Sequence, residues 1–183
     1  MKPNKDWLEL LERKVITEEM LSLATFSVNK RAKNYRDKQR EYVNNRWKYY
    51  YRHDYIGVCK AKKEDYYSMK ETLLSLLAPS EVHKVQQPNG VEYHLLYRTA
   101  YGSFHLPVDP ANISGITFAG KKQKSQCTSG NRFTPKVKTL NGLYTHGADI
   151  KTLVSMQFVR RVYDLILSGN YQYIPENIAA HAA

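Results

Sequence analysis

The sequence predicts an α+β protein in which long helices form the N-terminal half, and a small antiparallel sheet and a closing helix form the C-terminal half. Three observations lead to this prediction. No Pro or Gly interrupts residues 18–52, strand-forming runs flank the turn sequence PNG at 88–90, and apolar residues recur at helical spacing over 148–168. We therefore divide the chain into a helical region, 1–78, and a region of strands, basic loop and helix, 79–183, expected to form one compact unit.

The N-terminal region carries the signals of three helices. Residues 5–14 form an amphipathic pattern, and Thr17, followed by two acidic residues, is a typical N-cap for a helix over 18–52. Gly57 interrupts that pattern, so we predict that the long helix ends before it. The third helix is predicted over 63–77, where a following proline ends it.

The long predicted helix presents an apolar stripe with near-heptad spacing. The stripe consists of Leu21, Ala24, Val28, Ala32, Tyr35, Tyr42 and Tyr50. Such a seam favours packing along another long helix. A second helix of the same chain is the simpler partner, and a second copy of the chain, forming a homodimer, is the alternative.

The C-terminal region begins with a predicted three-stranded meander. Its strands cover 81–87, 91–98 and 101–108, and the first two flank the tight turn. Residues 109–142 lack periodicity and are rich in Gly, Ser, Asn, Thr and Lys, a composition typical of a functional or mobile loop. The closing helix of 148–168 is predicted to stop at the Gly-Asn pair that follows it.

Positive charge is concentrated in two segments of this chain. The whole protein has 28 Lys and Arg against 17 Asp and Glu, a net charge of +11. Residues 30–52 hold nine of these cations against two acids, and 119–138 hold six cations and no acid. Helical geometry turns eight of the nine away from the apolar stripe. Ordinary solvated helix faces interleave both signs, so this pattern favours a polyanion or an acidic surface as the partner, with DNA expected among the ligands.

We predict that these two segments form one nucleic-acid-binding surface. Its candidate residues are Lys30, Arg31, Lys33, Arg36, Lys38, Arg40, Lys48, Arg52, Lys121, Lys122, Lys124 and Arg132. The aromatic side chains of Trp47, Tyr49, Tyr50 and Tyr51 offer stacking surfaces for unpaired bases. Tyr50 lies on the apolar stripe and Trp47 close to its edge, so we expect core packing for those two.

No catalytic centre is predicted, and neither a cofactor nor a metal is expected. The segment GITFAGKK at 115–122 resembles a phosphate-binding P-loop but lacks the Ser or Thr that holds magnesium. His83, His94 and His105 lie in or beside the predicted strands, near Glu92 and Asp109, and they leave a metal-dependent nuclease open as an alternative.

The sequence predicts neither the disulfide framework typical of an exported protein nor a membrane-spanning helix. Cys59 and Cys127 are isolated, which predicts two buried thiols in a reducing compartment. No run of 18 apolar residues and no secretory signal occurs, so we expect a cytoplasmic protein without a membrane partner.

The segments LSLATFSVNKRAKNYRDKQREY and YYSMKETLLSLLAPSEVH, together with the basic C-terminal half, resemble small phage or mobile-element proteins. More particularly, the chain resembles the type II anti-CRISPR proteins, which inhibit Cas9. The resemblance implies a non-enzymatic inhibitor in the bacterial host cell that binds the Cas9–guide RNA complex and blocks DNA targeting or cleavage. Many such inhibitors are acidic DNA mimics, whereas a basic chain fits contact with guide RNA, target DNA or an acidic patch of the effector. A general DNA- or RNA-binding accessory protein of a mobile element is the alternative.

Overall fold

The computed structural model describes residues 5–49, 53–99, 101–118, 128–130 and 153–175. The chain forms two compact units, a helical unit of Met1–Leu73 with Asp149–Ala183 and a sheet unit of Leu74–Ala148. Helices, a small antiparallel sheet and a C-terminal helix are all present, so the predicted α+β class is confirmed. The closing helix belongs to the helical unit, whereas the sequence pattern grouped it with the strands.

The described part of the helical unit contains four helices and a small parallel strand pair. Its elements are α1 (Lys5–Glu12), β1 (Val15–Thr17), α2 (Glu18–Asn44), α3 (His53–Leu74), α4 (Met156–Ser168) and β6 (Gln172–Ile174). β1 and β6 pair in parallel, with Ile16 opposite Tyr173. This pairing joins residues far apart in the chain, and each strand is only three residues long, so no periodic pattern predicts it.

The first half of α2 is the centre of the helical core. Thr17 caps the helix as predicted, its side-chain oxygen accepting a hydrogen bond from the Met20 amide at 3.3 Å. Nine residues between Met20 and Ala32 are buried, because α1 and α4 also belong to this core. One link of that core is the pair Trp7 and Phe158, whose ring centroids lie 5.9 Å apart.

The second half of α2 pairs with α3 as an antiparallel hairpin. Three side-chain contacts connect the helices: the rings of Tyr35 and Tyr66, the amide of Gln39 with Lys63, and the rings of Tyr42 and Tyr55. As the residue number rises along α2 it falls along α3, so the helices run in opposite directions. The seam at Tyr35 and Tyr42 is therefore occupied by a helix of the same chain, the simpler of the two predicted partners.

Two predicted helix boundaries in this hairpin are wrong. The long helix ends at Asn44 instead of residue 52, and the Asn45 side chain donates to the Glu41 carbonyl at 3.0 Å, closing the last turn. α3 starts at His53 instead of residue 63 and runs through Gly57, which faces open space. Strong helix formers follow Gly57, and they outweigh the roughly 1 kcal/mol that a glycine costs inside a helix.

The beginning of the closing helix also differs from the prediction. α4 starts at Met156 because Ser155 is its N-cap and accepts a hydrogen bond from the Phe158 amide at 3.2 Å. Leu153 and Val154, counted on the predicted helix face, are buried before the helix begins. The predicted stop is confirmed, since Gly169 adopts a left-handed φ of 67°.

The sheet unit is built on the predicted meander. Its strands are β2 (Glu81–Gln87), β3 (Gly90–Thr99), β4 (Gly102–Val108) and β5 (Thr128–Gly130), in the order β4-β3-β2-β5. β2, β3 and β4 pair antiparallel, as expected, and β5 pairs in parallel with β2. The tight turn is present, and Gly90 has the positive φ of 138° that other residues rarely adopt. A 3₁₀ helix, Pro110–Gly115, follows β4.

Two further predictions concern the cysteines and membrane-spanning helices. Cys59 is a buried free thiol, as expected, and burial raises its pKa. Cys127 lies outside the described residues. Over the part of the chain that the structure describes, no helix is long and apolar enough to cross a membrane.

Candidate nucleic-acid interface

One arginine of the predicted binding surface, Arg31, forms hydrogen bonds within the protein. The Arg31 guanidinium donates hydrogen bonds to the Val154 carbonyl at 2.9 Å and to the Ser27 carbonyl at 3.3 Å. Ser27 completes the link, because its hydroxyl accepts a hydrogen bond from the Val154 amide at 3.2 Å. Desolvation at this position lowers the pKa of the Arg31 guanidinium. These contacts tie α2 to the segment that precedes α4, so Arg31 has a structural role.

The other candidate cations of α2 differ in exposure and in partners. Lys33 and Arg40 are exposed and form no ion pair with any described acid, while Lys30 is half-buried. Arg36 binds Asp37 at 3.0 Å, and the Lys38 ammonium lies 5.5 Å from the centroid of the Tyr35 ring.

The turn between the helices adds positive charge at the end of the hairpin. We call the described residues of this turn, 45–49, the hairpin tip. Arg46 and Lys48 are both exposed there, and Arg46 was not counted among the binding residues because a continued helix would have placed it on the apolar stripe. The end of α2 at Asn44 removes that constraint. Sequence reasoning missed Arg46 for this reason, and the Asn44-Asn45 pair is the signal that identifies the turn.

The expectation that Trp47 packs in the core is wrong. The residue is 80% exposed, because the chain leaves the helix before reaching it. Tyr49, by contrast, is held by its neighbours. Its hydroxyl donates to Glu41 at 2.8 Å, which raises its pKa, and its ring packs edge-on against Tyr42 at 4.8 Å. Trp47 is thus the described tip aromatic that presents a stacking surface.

Several predicted residues fall where the structure gives no description. These are Arg52, Tyr50, Tyr51, Lys121, Lys122, Lys124 and Arg132. The prediction that the segment 119–138 joins the helical cations in one surface therefore lies outside the described residues. Residues 119–122, the second half of the P-loop-like segment, lie outside them too.

α3 contributes a buried lysine that sequence reasoning did not single out. Lys70 is 7% exposed, and burial, followed by the positive charge of Lys33, lowers its pKa to about 8. Its helical spacing contains the signal: Lys70 precedes the buried Leu73 and Leu74 by three and four residues, which places all three on one face. Elsewhere on α3, Lys60 and Lys62 are exposed.

The three strand histidines do come together on one face of the sheet. His83 and His94 are cross-strand partners, and the His105 ring centroid lies 6.4 Å from each of theirs. Glu81 contacts His83 at 2.9 Å and Glu92 contacts His94 at 3.1 Å. Carboxylates of the same strands therefore contact two of the three histidine side chains.

This histidine face does not form a metal centre. Asp109, the other acid considered for such a site, caps the 3₁₀ helix by accepting a hydrogen bond from the Ala111 amide at 3.0 Å. Within the described ranges, no group of three or more His, Cys, Asp or Glu side chains is placed to hold a metal ion. The nuclease alternative thus has no metal site in this part of the protein.

Comparison of the chain with protein families, curated proteins and solved structures found no match.

Proposed function

We propose that this chain is a non-enzymatic nucleic-acid-binding protein that contacts the phosphate backbone through α2 and the hairpin tip. The observation that carries the proposal is that Lys33, Arg40 and Arg46 are exposed without an ion pair to any described acid. Unpaired cations on an exposed helix attract counterions, and a polyanion that displaces those counterions gains free energy from their release. Such binding has little sequence preference and weakens steeply with salt.

Trp47 gives the proposed surface a preference for unpaired bases. The indole is 80% exposed and is flanked in sequence by Arg46 and Lys48, both exposed. An aromatic ring beside cations is the arrangement that single-strand-binding surfaces use, with the cations holding the backbone and the ring stacking on a base. We therefore place single-stranded DNA or RNA ahead of duplex DNA as the ligand.

Within this class, we propose the Cas9–guide RNA complex in the bacterial cytoplasm as the partner. Support comes from the resemblance to type II anti-CRISPR proteins and from the sign of the hairpin charge, which suits guide RNA or a displaced DNA strand. A bound hairpin would block DNA targeting, or the conformational step between target binding and cleavage. A general accessory protein of a phage or mobile element would use the same surface without Cas9.

The binding proposal is tested by reversing two tip-side charges. We expect the double variant Arg40→Glu, Arg46→Glu to weaken binding of a single-stranded oligonucleotide by at least about tenfold, measured by fluorescence anisotropy, and to flatten its salt dependence. The control Lys60→Glu, Lys62→Glu changes the net charge equally on exposed α3 positions. Equal losses in both variants would mean that only net charge matters, and the hairpin proposal would be wrong.

The indole provides a second readout of the same contact. The chain has two tryptophans, and Trp7 is buried. Quenching of the fluorescence upon oligonucleotide binding should therefore disappear in Trp47→Phe and persist in Trp7→Phe. Quenching that survives in Trp47→Phe would place the bases elsewhere.

The Cas9 proposal needs a separate assay. Purified Cas9, guide RNA and target DNA are mixed with stoichiometric amounts of this protein or of an unrelated basic protein with the same net charge. Inhibition by this protein alone supports the inhibitor, whereas binding without inhibition supports the accessory protein. Incubation of plasmid with the protein and Mg²⁺ or Mn²⁺ tests the nuclease alternative, and nicked plasmid would overturn the non-enzymatic proposal.

A further inference from the structure

The two hairpin helices border an open groove with positive charge on both walls. α2 contributes Arg36 and Arg40 to the lining, and α3 contributes Lys63 and Tyr67. The groove has a volume of about 570 Å³, which is within the range of small-ligand sites. Glu64 is the acid among the described lining residues. The described lining therefore holds three cations and one acid, with the excess of positive charge on the α2 wall.

Two lysines lie just beyond the described lining residues at one end of this groove. Lys33 lies one turn before Arg36 on α2, and Lys70 lies one turn after Tyr67 on α3, so in an antiparallel pair both point to the same end. The Lys70 ammonium lies 5.7 Å from the centroid of the Tyr67 ring. Glu64 precedes Tyr67 by about one turn and so lies toward the opposite end.

The charges at this end repel one another. Burial, then the positive charge of Lys33, lowers the pKa of Lys70 to about 8, and Glu71 only partly opposes the shift. Partial desolvation also lowers the pKa of Lys33, followed by the charges of Arg36 and Lys30, while Asp37 opposes that change. Like charges held close together on one wall focus the electrostatic potential and attract an anion to that end of the groove.

We propose that this end of the groove binds a phosphate group, with Lys33 in contact with the phosphate oxygens and Lys70 supplying positive charge from within the helix pair. Arg36 is the third cation, and its guanidinium has the fork geometry that suits two phosphate oxygens. Its surface ion pair with Asp37 is weak enough for a phosphate to replace. The inference rests on the proposed function for the carrier of the phosphate, a nucleic-acid backbone. A free nucleotide presents the same chemistry.

The proposal makes binding sensitive to pH in a defined direction. A bound phosphate favours the protonated form of Lys70, so binding takes up a proton when the pH is above about 8. The affinity for a phosphodiester, whose own charge is constant in this range, should therefore fall between pH 8 and pH 10 in the wild type. Lys70→Met removes the titrating group and should flatten this part of the profile.

The test compares lysines inside and outside the groove on the full-length protein. We expect Lys33→Met and Lys70→Met each to weaken binding of a single-stranded oligonucleotide by about tenfold, and Lys33→Arg to retain most of it. Lys60→Met removes the same charge from an exposed α3 position and should change the affinity less than threefold. Thermal melts show that each variant folds, and NMR of the lysine side chains follows the titration of Lys70 with and without oligonucleotide.

Two further probes, ATP and inorganic phosphate, distinguish which kind of molecule supplies the bound phosphate group. If the Arg40→Glu, Arg46→Glu variant loses oligonucleotide binding but Lys70→Met binds as tightly as Lys60→Met, the phosphate site is wrong and the proposed function stands. Binding of ATP or inorganic phosphate that needs Lys33, without oligonucleotide binding, supports the site and overturns the proposed function. A Lys70 pKa that does not rise with any of the three probes overturns the site.

Discussion

The hairpin and the three-stranded meander of β2, β3 and β4 both carry many polar groups, but they treat charge in opposite ways. On the sheet, Glu81 binds both Arg98 at 2.7 Å and His83 at 2.9 Å, and Glu92 contacts His94 at 3.1 Å. On the hairpin, Lys33 and Arg40 have no described acidic partner. Under the proposed function, pairing, more than the number of charges, determines which surface attracts a polyanion.

The same contrast distinguishes charges that stabilise the folded chain from charges that are proposed to bind a ligand. The paired charges of the sheet lower one another's energy inside the folded chain, so they need no external ligand. The hairpin holds like charges close together, and Lys70 is even buried among them. A lysine whose pKa is lowered by burial and a neighbouring cation is typical of functional sites, which supports the proposed phosphate site.

The largest expected difference in the free energy of unfolding is between substitutions of an aromatic residue in the sheet and of one at the hairpin tip. Phe104, in the sheet, is 2% exposed, whereas Trp47, at the hairpin tip, is 80% exposed. We expect Phe104→Ala to lower the free energy of unfolding by about 3–5 kcal/mol and Trp47→Ala to change it by less than about 0.5 kcal/mol. Urea titration measures both. A large loss in Trp47→Ala would show that the tip is part of a folded core.

The second prediction concerns the buried lysine of the hairpin. Lys70→Met should stabilise the protein at pH 7 by up to about 3 kcal/mol, because the wild type must bury a charge. The folded pKa of about 8 lies below the unfolded value, so the unfolded state binds more protons above pH 8, and wild-type stability should rise from pH 8 toward pH 10. Thermal melts across this range check it. Lys60→Met is the exposed control, and a destabilised Lys70→Met would contradict the repulsion described above.

The third prediction contrasts two arginines of the same helix. Arg31→Met removes the hydrogen bonds to the Val154 and Ser27 carbonyls and should lower the free energy of unfolding by about 1–3 kcal/mol. Arg40→Met, at an exposed position, should have almost no effect on stability but should weaken nucleic-acid binding. Denaturation and anisotropy on the same samples measure both properties. A loss of stability in Arg40→Met and a loss of binding alone in Arg31→Met would contradict the structural role of Arg31 and the binding role of Arg40.

The smallest expected effect comes from the paired charges of the sheet. Burial tends to raise the pKa of Glu81, but hydrogen bonds from His83 and Arg98 and their charges lower it overall. The lowered pKa means that Glu81 contributes stability above the unfolded value near 4.3, and that this stability is lost as the pH falls through the folded value. Glu81→Gln should therefore lose at most about 1 kcal/mol at pH 7, and its difference from wild type should shrink below pH 4. Glu92→Gln is the more exposed control.

Local signals predicted many of the elements of both regions. The cap at Thr17, the left-handed stop at Gly169 and the turn that contains Gly90 act through neighbouring residues, so a short stretch of sequence is enough to identify them. The boundaries inside the hairpin were missed because two weak local signals, Gly57 and the Asn44-Asn45 pair, had to be weighed against helix-forming neighbours. The β1–β6 pairing joins residues more than 150 positions apart, and no local pattern encodes it.

The sequence by itself determined how much positive charge the protein carries, in which segments it lies and that the first of these segments begins as a helix, because composition and helix-forming signals are local properties. The tertiary structure decided which of these charges can meet a ligand. Arg31 and Arg40 have the same side chain on the same helix, yet contact with Val154 engages the first and leaves the second in solvent. The same is true of Trp47, whose exposure depends on where the chain turns, and of Lys70, whose lowered pKa requires a second helix to bury it beside Lys33.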